Sequence, residues 1–125
     1  MVDFTDLQVW KRSRELANGT YALTKHFPPD ERNRLTDQLR RATASVLANL
    51  AEGNGRQSPA DQARCYRIAL GSARETKALL ILSQDQAFMS ADRAQELLEV
   101  CEQVQRMLVG LLKYCRRRQG PSPNP

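Results

Sequence analysis

Hydrophobic residues recur along this chain every three or four positions, in four blocks separated by Pro, Gly and Asn. Recurrence at this period is typical of amphipathic α-helices, and no window alternates polar and apolar residues for long enough to form a strand. The pattern predicts helices over residues 6–24, 30–51, 58–85 and 90–117. Four helices of this length with short connections predict an all-α fold, an antiparallel up-down-up-down four-helix bundle.

The helix boundaries follow from capping residues. Asp6 is the predicted N-cap of the first helix, Ser58 followed by Pro59 opens the third, and Ser90 opens the fourth. The run from Gly53 to Gly55 is expected to end the second helix, because Gly supplies a left-handed C-terminal cap at low cost. The bundle is therefore expected to span residues 1–118, and residues 119–125 form a Pro-rich, disordered tail.

Each predicted helix carries one stripe that is expected to face the core. The stripes are Leu7, Trp10, Ala17, Tyr21 and Thr24; Leu35, Leu39, Ala42, Val46, Asn49 and Leu50; Ile68, Ser72, Leu79 and Leu82; and Leu97, Cys101, Val104, Leu108, Leu111 and Cys115. The last set alternates steps of four and three, which is typical of a coiled-coil seam.

The first and fourth helices carry more apolar surface than one core can bury. A second ridge lies beside each stripe, so the apolar arc of the fourth helix covers about twice the ordinary width. Excess apolar surface usually marks an interface, and we therefore expect a homo-oligomer. The alternative is that long Lys and Arg stems cover the excess. The predicted interface residues are Val9, Leu16, Leu23, Leu98, Met107, Leu112 and Tyr114.

Three polar residues fall on faces expected to point inward: Gln38, Asn49 and Glu75. A buried carboxylate needs hydrogen-bonding partners, so the preferred interpretation is a buried polar clip that fixes helix register. The minority interpretation is an active site built on Glu75 and Asn49, which lacks a second acid or base.

Lys and Arg number 19 against 14 Asp and Glu, giving a net charge of +5 and a pI of about 9.5. This balance favours an anionic partner. The candidate nucleic-acid-binding residues are Arg40, Arg41, Arg56, Lys113, Arg116, Arg117 and Arg118, while Arg64, Arg67, Arg74 and Lys77 are further cations of the central helices. Such binding should be electrostatic, without base readout. The few aromatic residues occupy core-type positions, so base stacking is not implied.

Other chemistry finds little support in the sequence. The single His26 lies in a predicted loop, and no CxxC or phosphate-binding Gly motif occurs, so we expect no metal, no cofactor and no enzyme activity. Cys65, Cys101 and Cys115 lie in segments predicted to be helical, and we expect them to be small core residues. Free cysteines of this kind indicate a reducing compartment. Neither a membrane-spanning run nor a secretory signal is evident, so we expect a cytoplasmic protein.

Several runs resemble a known family. They are Phe4-x-x-Leu7-x-Val9-Trp10, Asn49-Leu50-Ala51-Glu52-Gly53, and Ile68-Ala69-x-Gly71-Ser72-Ala73-x-Glu75. Together they resemble the 23S rRNA-intervening-sequence proteins of bacteria, from about Phe4 to Leu112. The resemblance implies a four-helix bundle that assembles as a homopentamer and has no established catalytic residues. A related branch, the accessory variability proteins of diversity-generating retroelements, is implied to bind nucleic acid and a reverse transcriptase.

The sequence and the resemblance together predict a non-enzymatic, basic, oligomeric scaffold that binds the backbone of RNA or DNA. The alternative is a protein-interaction module that holds another protein, such as a polymerase or reverse transcriptase, without contacting nucleic acid directly.

Overall fold

The computed structural model describes residues 3–120, and within that range the chain has four long α-helices and no β-strand. They are α1 (Gln8–Thr24), α2 (Leu35–Gly55), α3 (Pro59–Asp85) and α4 (Ala91–Gln119). Two single-turn 3-10 helices, Phe4–Asp6 and Pro29–Glu31, precede α1 and α2. The predicted all-α fold with four helices is confirmed.

The caps of α3 and α4 are the predicted ones. Ser58 Oγ accepts a hydrogen bond from the backbone N–H of Asp61 at 3.1 Å, and Pro59 is the first helical residue. Ser90 Oγ accepts from the N–H of Arg93 at 3.2 Å. Each hydroxyl satisfies one of the N–H groups that a helix start leaves without an intrahelical partner.

The predicted starts of α1 and α2 are wrong. Asp6 belongs to a 3-10 turn capped by the carboxylate of Asp3, which accepts from the N–H of Thr5 at 2.9 Å. The second helix begins at Leu35 rather than at residue 30, because Arg34 has φ −124° and ψ −108°, outside helical geometry. That residue separates α2 from the short turn after Pro28.

The predicted ends of α2 and α4 also need correction. Gly53 and Gly55 both lie within α2, and Gly120 is the described glycine with positive φ, at 74°. The Gly53–Gly55 run therefore supplies no left-handed cap. Helix α4 extends to Gln119, so this residue does not belong to a tail, and residues 121–125 lie outside the described range.

The four helices pack as a bundle in which each helix has two neighbours. Helices α1 and α3 each pack against both α2 and α4, and within residues 3–120 no Cα atom of α1 lies within 8 Å of one in α3. Two glycines mark close approaches: a Cβ at Gly19 would meet Leu97, and one at Gly53 would meet Tyr66. None of the described helices is both long and apolar enough to cross a membrane.

The inner faces of α2 and α4 are those predicted. The buried residues are Leu35, Leu39, Ala42, Val46 and Leu50 of α2, and Leu97, Cys101, Val104, Leu108 and Cys115 of α4. Asn49 and Leu111 are only half-buried. Each fully buried aliphatic side chain contributes about 1.5–3 kcal/mol relative to exposure, so these two stripes supply much of the hydrophobic stabilisation.

The inner face of α1 combines the second ridge with part of the predicted stripe, of which Ala17 and Thr24 are buried. Val9, Leu16 and Leu23, predicted to form an oligomer interface, are buried inside the subunit. Tyr21 of the predicted stripe is 42% exposed. Those three residues are thus not available to a second copy of the chain, because α1 uses them to pack against α2 and α4.

The inner face of α3 is also rotated from the predicted one. Ile68 and Leu82 are 46% and 44% exposed, and the buried stripe is Ala69, Ala73, Thr76, Leu80 and Ser83. Small residues line this stripe because α3 packs closely against two helices. Cys101 Sγ of α4 lies 3.2 Å from the carbonyl oxygen of Ala73. A larger side chain at position 73 would hinder this contact.

The predicted polar clip does not form. Glu75 and Gln38 are exposed, and half-buried Asn49 donates to the carbonyl oxygen of Ser45 in its own helix at 2.9 Å. The polar link between α2 and α3 is instead a hydrogen bond between the hydroxyls of Ser45 and Ser72, at 2.8 Å. The rotation of α3 causes the difference, because it moves Glu75 outward together with Ile68.

Candidate functional site

The structure divides the predicted nucleic-acid-binding residues into two groups. Arg40 and Arg41 lie in the first part of α2, and Arg56 follows its last residue, about 24 Å further along the helix axis. Arg118 near the end of α4 donates to Gln62 Oε1 in the first turns of α3 at 2.8 Å, and it lines one cavity with Arg56. Arg56 therefore shares one end of the molecule with the C-terminal cations of α4.

Arg40 and Arg41 are engaged within the subunit. The Arg40 guanidinium lies 4.9 Å from the ring centroid of Tyr21, and its Nε donates to Thr24 Oγ1 at 2.9 Å. These contacts tie α2 to α1 through a cation–π pair and a hydrogen bond. Arg41 pairs with Asp37 on its own helix at 3.1 Å. This pair of arginines is the less suitable part of the predicted binding set.

A basic groove lies between α3 and α4. It has a volume of about 430 Å³, and Leu70 and Val109 line it together with Arg74, Arg106 and Lys113. All three cations are exposed, and none of them forms an ion pair with another residue of the 3–120 range.

Glu102 is the acidic residue of this groove, and Lys77 of α3 neutralises it. The hydrogen bond and ion pair with Lys77 lower the pKa of the Glu102 carboxyl, with a smaller contribution from Arg106. The carboxylate is thus already occupied by a cation outside the groove lining. The three groove cations keep their charge available for an external anion.

Two of the groove cations were absent from the predicted set. Arg74 belongs to the further cations of the central helices, and Arg106 belongs to neither set. A signal was present, because the 17 residues from 103 to 119 contain five Arg or Lys and no acid. Arg106 and Lys113 are seven residues apart, as are Arg67 and Arg74, and this spacing places each pair on one helix face.

A second cavity lies at the end of the molecule where α2 ends and α3 begins. It has a volume of about 570 Å³, and its lining includes Leu7, Arg56, Gln62, Tyr66, Tyr114 and Arg118. Tyr66 is buried and Tyr114 is 50% exposed, so the cavity reaches from the surface towards the core. Burial raises the pKa of Tyr66 to about 12, so its phenol is neutral at pH 7.

The three cysteines are free and buried, as predicted for core residues. Burial raises the pKa of the Cys101 thiol to about 11 and also raises that of Cys115. A protonated, buried thiol is a poor nucleophile and a poor metal ligand. Within the described part of the chain, no three His, Cys, Asp or Glu residues are grouped closely enough to hold a metal ion.

These features define a small, basic, all-α protein of four helices whose unpaired cations concentrate on α3 and α4. The chain belongs to the 23S rRNA-intervening sequence protein family, whose model matches residues 5–110. The resemblance inferred from the sequence motifs is thus confirmed at the level of the family.

Among solved structures, the chain is similar to a protein of unknown function from the S23 ribosomal protein family of Bacteroides thetaiotaomicron. The two share 24% sequence identity over 84% of this chain and 98% of that chain, with a TM-score of 0.74. A likeness at this identity shows a shared fold. No curated protein matches the chain.

Proposed function

We propose that this protein is a non-enzymatic, cytoplasmic, oligomeric scaffold that binds the backbone of RNA or DNA through the α3/α4 face. The observation that carries the proposal is the set of three unpaired cations, Arg74, Arg106 and Lys113, around one groove. Phosphate groups are the ligands that such a surface attracts, and counterion release supplies the binding free energy.

The dimensions of this face suit a nucleic-acid backbone. From Arg106 to Arg117, the exposed cations of α4 extend over about 16 Å of helix axis. Duplex DNA carries one charge per about 1.7 Å of its axis, so several phosphates lie opposite such a strip. Contacts to phosphate carry no sequence information, so binding through this face is expected to be independent of sequence.

The oligomer is proposed from the outer surface of α3. Ile68, Leu79 and Leu82 lie within about 60° of one another on α3, and Ile68 and Leu82 are nearly half exposed. Residues 68, 72, 75, 79 and 82 alternate steps of four and three, which is the spacing of a seam between helices. We propose that this stripe joins copies of the chain, with the homopentamer that the family resemblance implies as the assembly.

The contacts at both ends of the molecule support an antiparallel up-down-up-down arrangement. Arg40 near the start of α2 bonds to Thr24 at the end of α1, and Arg118 at the end of α4 bonds to Gln62 near the start of α3. In this arrangement, α1 lies diagonally opposite α3. The basic face is then turned away from α1.

The diagonal arrangement provides a charge-matched test of nucleic-acid binding. The triple variant Arg74→Gln, Arg106→Gln, Lys113→Gln removes the groove cations. The control variant Lys11→Gln, Arg14→Gln, Lys25→Gln removes two exposed cations of α1 and the one that follows its last residue. Retention of a 30-base-pair duplex is measured by filter binding between 50 and 300 mM salt.

The groove variant is expected to reduce the slope of log K against log salt concentration by about 2.7, because each of the three phosphate contacts contributes about 0.9 to that slope. The α1 variant should stay close to wild type. Equal losses in both variants would show that net charge alone drives binding, and absence of retention at 50 mM salt would refute the proposal.

A protein-interaction module is the second candidate, and the α3 stripe favours it. A stripe that binds a different protein, such as a polymerase, leaves the isolated chain at its monomer mass of 14.2 kDa. Light scattering with size-exclusion chromatography distinguishes the two, because self-association gives a multiple of this mass. Ile68→Ser with Leu82→Ser should return a self-associating protein to the monomer.

A further inference from the structure

We propose that the end cavity binds a single nucleotide, either free or at the end of a bound strand, with its phosphate on Arg118 and Arg56 and its base beside Tyr114. The proposal rests on the proposed function, because it takes a nucleic acid to be the ligand of the basic face. It adds a defined subsite to a surface otherwise expected to act by charge alone.

The volume and shape of the cavity fit a small ligand. About 570 Å³ lies within the range of about 300–1,000 Å³ that is usual for small-molecule sites. The cavity is bounded by buried Tyr66 and Cys115 on its inner side and by exposed Tyr114 and Arg118 at its mouth. A ligand can therefore enter from solvent and still be partly enclosed.

The phosphate subsite follows from the two guanidinium groups. Arg118 donates one hydrogen bond to Gln62, and Arg56 donates one to Glu52, whose carboxylate is not among the lining groups. A guanidinium group has five N–H donors in a planar fork that matches phosphate oxygens. Both arginines therefore keep donors for a phosphate after making their internal contacts.

The base subsite follows from the aromatic and amide groups. The Arg118 guanidinium lies 5.5 Å from the ring centroid of Tyr114 in a cation–π contact, and Tyr114 is 50% exposed. Aromatic side chains stack with any base, because every base has a π face. Gln57 and Gln62 line the same cavity, and their amides both donate and accept, as the edge of a base does.

The combination of groups selects a nucleotide over a simpler anion. Inorganic phosphate would use the two arginines and leave the apolar lining from Leu7 and Leu111 solvated. A nucleoside without phosphate would leave the arginines without an anion. We therefore expect AMP to bind at least about tenfold more tightly than adenosine, because its phosphate adds charge-assisted hydrogen bonds. It should also bind at least about tenfold more tightly than phosphate, because its base adds stacking.

The test uses calorimetric titration of the full chain with AMP, adenosine and inorganic phosphate at 50 mM salt. Arg118→Gln and Tyr114→Leu are expected to weaken AMP binding by about tenfold each, and Tyr114→Phe should retain it because the ring remains. Arg14→Gln is the matched control, since it removes the same charge from an exposed position of α1 outside both the cavity lining and the basic face. Helical circular dichroism checks that each variant is folded.

The inference is overturned if Arg14→Gln and Arg118→Gln weaken AMP binding equally, if AMP binds no more tightly than phosphate, or if AMP does not bind. A 12-nucleotide strand with and without a 5′-phosphate identifies the source of the ligand. Tighter binding of the phosphorylated strand supports a strand-end site, and AMP binding without that difference supports a free nucleotide.

The same experiment distinguishes failure of this inference from failure of the proposed function. If the strand binds and loses affinity only with the groove variant, while AMP does not bind, the nucleotide site is wrong and the scaffold proposal stands. If AMP binds but no strand is retained at 50 mM salt, the scaffold proposal fails and the cavity is a site for free nucleotides.

Discussion

Gly53 is the position at which one added methyl group tests the close packing of α2 against α3. A Cβ placed there lies 2.7 Å from Cε1 of Tyr66 and 3.0 Å from Cβ of Cys65. Ordinary contact begins at 3.4 Å, so the Tyr66 ring or the α2 backbone must move by about 0.7 Å in Gly53→Ala. Gly55 lies in the same turn of α2, and a Cβ there meets nothing within 4 Å.

Gly53→Ala and Gly55→Ala add the same methyl group to α2, but only the first adds it at a closely packed position. Replacing Gly by Ala in a helix is favourable by up to about 1 kcal/mol, less near a helix end. Overpacking a filled site costs about 1–3 kcal/mol. Gly53→Ala is therefore expected to destabilise the protein by about 0.5–2 kcal/mol, whereas Gly55→Ala should be neutral or slightly stabilising.

The assay is urea unfolding followed by circular dichroism at 222 nm. Both variants are measured at one protein concentration, because self-association adds stability that depends on concentration. Equal slopes with urea would show that the two variants expose the same surface, so that the midpoints report stability directly. The reasoning is refuted if Gly53→Ala is as stable as Gly55→Ala, since the Tyr66 ring would then move without cost.

Two further predictions concern the core and the pH dependence of stability. Leu108→Ala should lower the free energy of unfolding by about 2–5 kcal/mol, because the side chain is fully buried. Leu82→Ala in the monomer should lower the free energy of unfolding by less than about 1 kcal/mol, since this residue is 44% exposed. If urea unfolding showed a larger loss for Leu82→Ala than for Leu108→Ala, the exposed stripe of α3 would be its core face. Stability should also fall as the pH rises from about 9 to 12, because the pKa of Cys101 is about 11 and that of Tyr66 about 12, both above their ordinary values of 9.0 and 10.0. The unfolded chain releases these protons at lower pH than the folded chain, so alkali favours unfolding. Cys101→Ala should reduce the loss of stability between pH 9 and 11. Stability of the wild-type chain that did not change with pH would contradict the burial of both groups.

The inner faces of helices α2 and α4 could be predicted from the sequence. Their buried stripes consist of large aliphatic residues and Cys at steps of three and four, so size and periodicity identify the same face. The start of α2 could not be predicted from charge and Pro alone. Residues 29–31 form a 3-10 turn and Arg34 breaks the helix, and such a break depends on one backbone conformation rather than on composition.

The inner face of α3 could not be predicted by ranking residues by size. Ile68, Leu79 and Leu82 are its large aliphatic residues on one face, whereas its buried stripe contains Ala69, Ala73 and other small residues. A helix packed between two neighbours buries the residues that allow close approach, even where these bury little apolar area. Leu80 is buried among them, whereas Ile68 and Leu82 remain on the outside, which is the physical basis for proposing that a second copy covers these two residues.

One rotation of α3 explains both the failed clip and the missed basic groove. The angle between the predicted and observed inner faces is about 100°, the step from Ile68 to Ala69. That rotation moves Glu75 out of the core, and it leaves Arg74 on the flank of α3 that faces α4. There Arg74 lines one groove with Arg106 and Lys113, which the sequence places 32 or more residues away. The cationic residues of the candidate site are thus visible in the sequence, but their meeting in one groove depends on the orientation of α3. The same orientation leaves the proposed oligomer stripe on the opposite flank of α3.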